Sequence, residues 1–376
     1  MALALEIYFF YINRKYLIKA SIWKKYFMKA YLLSLTLIVI FGIPTICQNC
    51  PTFQKIHPPY NTFGFKSVWN GSGTLINTLF IQEPKGEAFR SSDGGLHWKE
   101  IGCGDPLSQS NDCGCIINAC YNSISFERIP NYFFPWCQQI TYGVAVCDGG
   151  KLKQSVDLGD TWSNFQVSAW FQMPNIDIVK CRYDNGHFEA VGKSGFYTYL
   201  KMPCGATAAS GYMQIFDSTR NFLNLSKKGP PTAVCGENGL LGIANGPQPP
   251  VFIFTNTIEN LNAVLMMPDC STIVAVGMNG TIVVYDGTNS LLYQNKNLVN
   301  VDLYGIAQAP VSQLIYVVGS GGVIYRFKIC GSIITPMGFC NSGTSETLRD
   351  IDINSDDNNN DIIYIVGDNS IILKGQ

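Results

Sequence analysis

Charge is scarce in this sequence. Of its 376 residues only 14% are Asp, Glu, Lys or Arg, while 47% are apolar, and the formal net charge is −1. With no basic excess, a nucleic-acid partner is not expected. Histidine is nearly missing: His57, His97 and His187 are the whole set, and no Cys-x-x-Cys pair follows Cys50. A zinc centre is therefore not expected, and no serine-hydrolase or cysteine-protease constellation is visible. Nothing in the sequence points to a catalytic residue or a cofactor. A surface this poor in charge needs another protection, either a sugar coat or burial against other chains.

Long apolar runs are also missing, with one exception. Residues 32–41 read LLSLTLIVIF, preceded by Lys24, Lys25 and Lys29 and followed by Gly42 and Pro44. This is the basic, apolar and breaker order of a secretory signal, with a cut expected after Cys47 and Met28 as an alternative start. The run is too short to span a bilayer comfortably, so cleavage is expected over anchoring, leaving no stable membrane span. Removing residues 1–47 leaves 20 basic against 26 acidic residues, a net charge of −6. The expected address is secreted or extracellular.

Cysteine, by contrast, is plentiful: 14 residues, 13 of them after the expected cut. In an oxidising compartment most would pair. Cys103, Cys113, Cys115, Cys120 and Cys137 cluster in a stretch, about 101–138, expected to be a disulfide-held insertion, with Cys147 as a further candidate. Cys330 and Cys340 are expected to form another bridge.

A repeat fills the rest. VAVCDGGKL (144–152), EAVGKSGFY (189–197), AVCGENGLL (233–241), VAVGMNGTI (274–282), YVVGSGGVI (316–324) and YIVGDNSII (364–372) share one pattern, and FIQEPKGEA (80–88) is a degenerate first copy. The marker residues Glu83, Cys147, Gly192, Gly236, Gly277, Gly319 and Gly367 step by 64, 45, 44, 41, 42 and 48. Each copy reads as strand, tight Gly/Asn turn and returning strand, with a further strand before it and often one after. Four strands in just over forty residues make a propeller blade, and seven copies make seven blades. A two-sheet sandwich would not explain so even a period. The last copy has three strands, and PTFQKIH at 51–57 is expected to supply the fourth and close the ring. The expected organisation is thus a signal at 1–47 and one all-β propeller at 48–376, with the cysteine-rich insertion between blades 1 and 2.

Two copies carry a sharper motif between their third and fourth strands: SSDGGLHW at 91–98 and SVDLGDTW at 155–162. Ser91, Asp93, Gly95 and Trp98, and likewise Ser155, Asp157, Gly159 and Trp162, suit a turn closed by carboxylate-to-backbone bonds and packed by an indole. The motif resembles the Asp-box, or bacterial neuraminidase repeat. With the repeating hairpin, the chain over residues 50–376 resembles the photosystem II assembly-factor type of propeller, and more distantly the sortilin and sialidase types. The resemblance implies a propeller fold and a structural role for both Asp turns; it implies no activity.

A sialidase needs three arginines converging on a carboxylate. Here FERIP at 126–130 echoes one such site but lies in the wrong place, and the other arginines follow no motif. The assembly-factor family's arginine-rich patch is absent. SDDNNND at 355–361 is read as a solvated polar turn and not as a Ca²⁺ loop. Asn70, Asn224 and Asn279 head sequons for N-linked sugar. The reading is a secreted glycoprotein serving as a rigid interaction or structural module that self-associates or binds protein partners. The alternatives are a glycosidase and an assembly-factor-like chaperone.

Overall fold

In a computed structural model, residues 50–57, 64–70, 77–83, 88–101, 121–129, 140–164, 174–184, 187–201, 210–216, 218–227, 231–269, 271–287, 291–295, 299–330 and 333–376 are described. The chain divides into two units, Met1–Cys50 and Pro51–Gln376. The expected signal and its cut lie outside the described residues.

Seven antiparallel four-stranded sheets make up the second unit. After β1 (Phe53–Lys55), blade 1 holds β2 (Ser67–Asn70), β3 (Leu79–Gln82), β4 (Ala88–Ser91) and β5 (Lys99–Ile101). Blade 2 holds β6 (Tyr121–Ile129), β7 (Ile140–Cys147), β8 (Leu152–Ser155) and β9 (Ser163–Asn164). Blade 3 is β10 (Ile178–Asp184), β11 (His187–Gly192), β12 (Phe196–Lys201) and β13 (Ser210–Ile215). Blade 4 is β14 (Phe222–Leu225), β15 (Thr232–Gly236), β16 (Leu241–Ala244) and β17 (Val251–Ile253). Blade 5 is β18 (Leu261–Met266), β19 (Ile273–Gly277), β20 (Ile282–Tyr285) and β21 (Leu291–Asn295). Blade 6 is β22 (Leu303–Gln308), β23 (Ile315–Gly319), β24 (Ile324–Cys330) and β25 (Ile333–Cys340). Blade 7 joins β26 (Leu348–Ser355), β27 (Asp361–Gly367) and β28 (Ile371–Gly375) to β1, with Phe53 opposite Gly375.

The first strands touch in a closed cycle, β2 to β6, β10, β14, β18, β22, β26 and back to β2, so they line the centre of a ring. Apolar residues of the second and third strands fill the space between blades. Val274, Val276, Ile282 and Val284 of blade 5, for example, pack on Leu303, Ile315 and Val317 of blade 6. Because strands alternate in direction, the second-to-third hairpins and the blade-to-blade connections share one face of the ring. The first-to-second and third-to-fourth loops share the other.

Two features explain the repeat. Gly277 has an extended backbone, yet a Cβ there would lie 1.9 Å from the Asn260 carbonyl oxygen, so the contact forbids a side chain. Gly280 has a φ of +65°, and its Cβ would lie 1.7 Å from the Val299 oxygen. The other marker glycines, from 192 to 367, meet the same kind of carbonyl.

Two expectations about cysteine need correcting. The stretch 101–138 is not one insertion, because Tyr121–Ile129 within it forms the inner strand of blade 2. Phe126 of the FERIP segment is core, stacked 4.0 Å from Phe80. Residues 102–120, with Cys103, Cys113, Cys115 and Cys120, therefore join blades 1 and 2. Residues 130–139, with Cys137, lie in the chain between β6 and β7 of blade 2. These five cysteines lie outside the described residues; Cys147 ends β7, opposite Tyr121. Cys330 and Cys340 do not bridge. Cys330 is exposed with a free thiol opposite Ile333 near the hairpin tip, whereas Cys340 sits opposite Ile324 at the far end of the same hairpin. Six strand residues, about 20 Å, separate them, and a disulfide needs Cα atoms within about 7 Å.

Candidate functional site

An inner strand has no sheet neighbour on its channel side, so its backbone groups there need other partners. Side chains supply them, each from the preceding blade. Asn122 Nδ2 donates to the Ile178 carbonyl (2.9 Å), Asn224 Nδ2 to Asn262 (3.0 Å) and Asn262 Nδ2 to Leu303 (2.9 Å). Ser125 Oγ accepts from Tyr183 N at 3.0 Å. Arg182 donates to the Ser226 carbonyl and is buried against Glu189, 2.7 Å away. Asp350 and Asp352 accept from Val68 N (3.1 Å) and Asn70 N (2.7 Å).

Charge gathers at one point of this lining. Lys180 of blade 3 lies 3.6 Å from Asp350, and its ammonium donates to Ser67 of blade 1 (3.3 Å). Lys227 reaches from blade 4 to lie 3.5 Å from both Asp350 and Asp352, and donates to the carbonyls of Ile351 (2.8 Å) and Val68 (3.3 Å). Two cations from blades 3 and 4 thus meet two carboxylates from blade 7. Burial alone would raise the Asp350 pKa, but Lys180, Lys227 and the Val68 and Ile351 amides hold it below its ordinary value. For Asp352 burial prevails and the pKa is raised. The paired carboxylates raise that of Lys227 against the effect of its burial. No sequence motif marks this cluster. Its signal is positional: Lys180, Asn224 and Asp350 each follow the buried residue that opens an inner strand by two, just past a shared register slip.

Both Asp turns lie at the far face, and the structure brings each set of predicted residues together. Ser91 Oγ donates to Asp93 Oδ1 (2.8 Å) and accepts from Gly95 N (2.8 Å), while Leu96 N and His97 N donate to Asp93 (3.0 and 2.9 Å). Ser155, Asp157, Gly159 and Thr161 repeat the scheme. The His97 amide and ring, with the Ser91 hydroxyl, hold the Asp93 carboxyl well below its ordinary range. Burial raises Asp157, but Thr161 and Ser155 outweigh it and the pKa is lowered. Trp98 packs on the core between blades 7 and 1, and Trp162 is buried between blades 1 and 2. Each turn clips onto the preceding blade. Arg90 of blade 1 donates to the Leu158 carbonyl (2.9 Å) and pairs with Asp160 (3.0 Å). Gly94 accepts from Tyr364 of blade 7, and Gly95 faces Ile56.

The hairpin face has its own fastening, also unread in the sequence. An Asp or Asn just before an inner strand accepts from the hairpin amide of the preceding blade. The pairs are Gly149 N to Asp177 (3.1 Å), Ser194 N to Asn221 (2.8 Å), Asn238 N to Asn260 (3.1 Å) and Asn279 N to Asp302 (2.9 Å).

The sequons differ in access. Asn70 is only 3% exposed and ends an inner strand, not a turn, and Asn224 is committed to Asn262. Asn279 is exposed at a hairpin. In the 355–361 loop the Asp356 carboxylate is closed by the amides of Asn358 and Asn360. No group of three or more His, Cys, Asp or Glu able to hold a metal occurs among the described residues, and no helix among them is long and apolar enough to cross a membrane.

The blades differ at the outer rim. Blade 1 ends its sheet with exposed Lys99 and Glu100, the usual guard of an edge strand. Blade 4 ends with Val251 and Phe252, followed by Phe254 and Ile258, which are 84% and 79% exposed.

No protein-family model matches the sequence, and no curated protein matches it. Solved structures do. "YCF48 bound to D1 peptide" aligns with a TM-score of 0.60 at 15% identity, over 87% of this chain and 99% of that one. YCF48 from Cyanidioschyzon merolae aligns with a TM-score of 0.62 at 12% identity, over 86% and 98%. The WD40 propeller domain of Doa1 aligns with a TM-score of 0.59 at 8% identity, over 87% and 96%. At such identities the likeness is one of fold: this chain is a seven-bladed β-propeller.

Proposed function

We propose that the chain is an exported, glycosylated protein-binding propeller built on Asp-box turns, and not a glycosidase. One observation carries this reading: Arg90, Arg182, Arg349 and the channel lysines are all committed to other side chains of the fold. A sialidase-like site needs arginines free to converge on a substrate carboxylate. Here Arg90 is held by blade 2's turn, Arg182 by Glu189, and Arg349 by Asp368 at 2.8 Å while lying over the Tyr304 ring. In the channel Lys180 and Lys227 are matched by Asp350 and Asp352. The apolar rim of blade 4, in contrast, faces solvent. The peptide bound to YCF48 in its structure supports the assembly-factor type of role, capture of a protein segment, over glycoside hydrolysis.

The test pairs two measurements on the full chain. Fluorogenic sialosides and common aryl glycosides should give no turnover, and cross-linking in the native secretion should yield a defined protein adduct. Hydrolysis that depends on the channel charges would overturn the reading.

A further inference from the structure

We infer that the outer edge of blade 4 and the adjoining hairpin face dock an extended protein segment in which apolar residues alternate with lysine or arginine; the inference rests on the protein-binding reading above. The apolar half of the site is continuous. Val251 and Phe252 lie on β17, the terminal strand of its sheet, so one backbone edge is open to pairing. Phe254 and Ile258 carry the surface from the rim onto the hairpin face. The loop bearing them is rigidly placed, with Thr255 Oγ1 donating to the Gly239 carbonyl (2.8 Å) and Gly239 N to the Glu259 carbonyl (2.8 Å).

Charge selects the occupant. Glu259 directly follows Ile258, Glu237 opens the hairpin packed beneath it, and Asp302 follows along the same face. Glu237 is held by Asn221, Glu259 by the Asn279 amide group, and Asp302 by Asn279 N, so all three present carboxylates without a cationic partner among the described residues. An extended strand places alternate side chains on opposite sides. A segment lying along β17 would seat its apolar residues on Phe254 and Ile258 and send its cations toward the carboxylates. An acidic or purely apolar segment would leave these carboxylates opposed or unmatched.

A fluorescein-labelled decapeptide alternating valine and lysine is the probe, with a valine–glutamate twin as control, titrated against the full chain by anisotropy. The lysine peptide should bind, and more weakly as salt rises. The Phe254→Ser, Ile258→Ser double variant should weaken it at least ten-fold, and Glu237→Gln with Glu259→Gln several-fold with a flatter salt dependence. All variants should keep the wild-type melting temperature. Equal binding of the glutamate twin, or affinity unmoved by the serine pair, would overturn the inference. A photo-cross-linker placed at Phe254 and, separately, at Leu96 on the opposite face separates the two readings. A partner trapped through Leu96 but not Phe254 leaves the binding module standing and removes this docking site. Trapping through neither, together with glycoside hydrolysis, removes both.

Discussion

Blades 2 and 5 solve the same problem at different ends of the ring. Blade 5 holds its neighbour at the hairpin face, where Gly280 lets the turn lie against Val299 in the chain entering blade 6 and Asn279 N binds Asp302. Blade 2 has Cys147 at the marker position, and its Asp turn grips blade 1 from the other face through Leu158 and Asp160. The first fastening depends on what is missing, a side chain; the second depends on a carboxylate and an indole. Blade 2 keeps the hairpin latch as well, Gly149 N to Asp177, so one blade can carry both devices.

The comparison breaks most sharply at blade 5. Gly280→Ala places a Cβ inside a carbonyl at a left-handed position, so chemical denaturation should show a loss of about 3 kcal/mol or more. Asp350→Ala comes next. It removes the partner of Lys180, Lys227, Ser67 Oγ and Val68 N together, and should cost about 2–4 kcal/mol in the same assay. Asp157→Ala should cost roughly 1–2 kcal/mol, the worth of its turn hydrogen bonds. Loss of an activity at an unchanged melting temperature would refute that structural role.

Acid sharpens the contrast further. Asp157 and Asp177 have depressed folded pKa values. Lys193 and the Gly149 amide lower Asp177. Such groups stabilise the fold above the ordinary carboxylate pKa of about 4, and the contribution is lost as pH falls through the folded value. The latches at Asn221 and Asn260 do not titrate. Asp177→Asn should therefore reduce the acid dependence of the melting temperature while keeping the latch itself. The smallest effect belongs to the rim, where the Phe254→Ser, Ile258→Ser pair should change stability by no more than about 0.5 kcal/mol.

Much of the architecture was legible in the residues. The forty-residue period comes from hairpins whose glycines recur because each meets a carbonyl, and a steric demand repeated from blade 3 to blade 7 leaves a repeated letter. The Asp turns were legible for the same reason: their bonds run within eight residues, so the letters sit together. The expected Cys330–Cys340 bridge failed because spacing along the chain says nothing of position along a hairpin. The 101–138 stretch was misread because a cysteine count does not mark the strand at Tyr121–Ile129.

By itself, then, the sequence determined the fold class, the blade number and the two local turns, all set by contacts near in the chain or repeated along it. Only the tertiary structure decided the rest. Lys180, Lys227 and Asp350 come from three blades and share no motif; they meet because closing the ring brings inner strands together whose channel-side backbone needs partners. The bare edge of blade 4 is likewise invisible as letters, since Val251 and Phe252 read like any core strand. That no fifth strand covers them is a property of the sheet's outer limit, where the next segment of chain turns away to begin another blade.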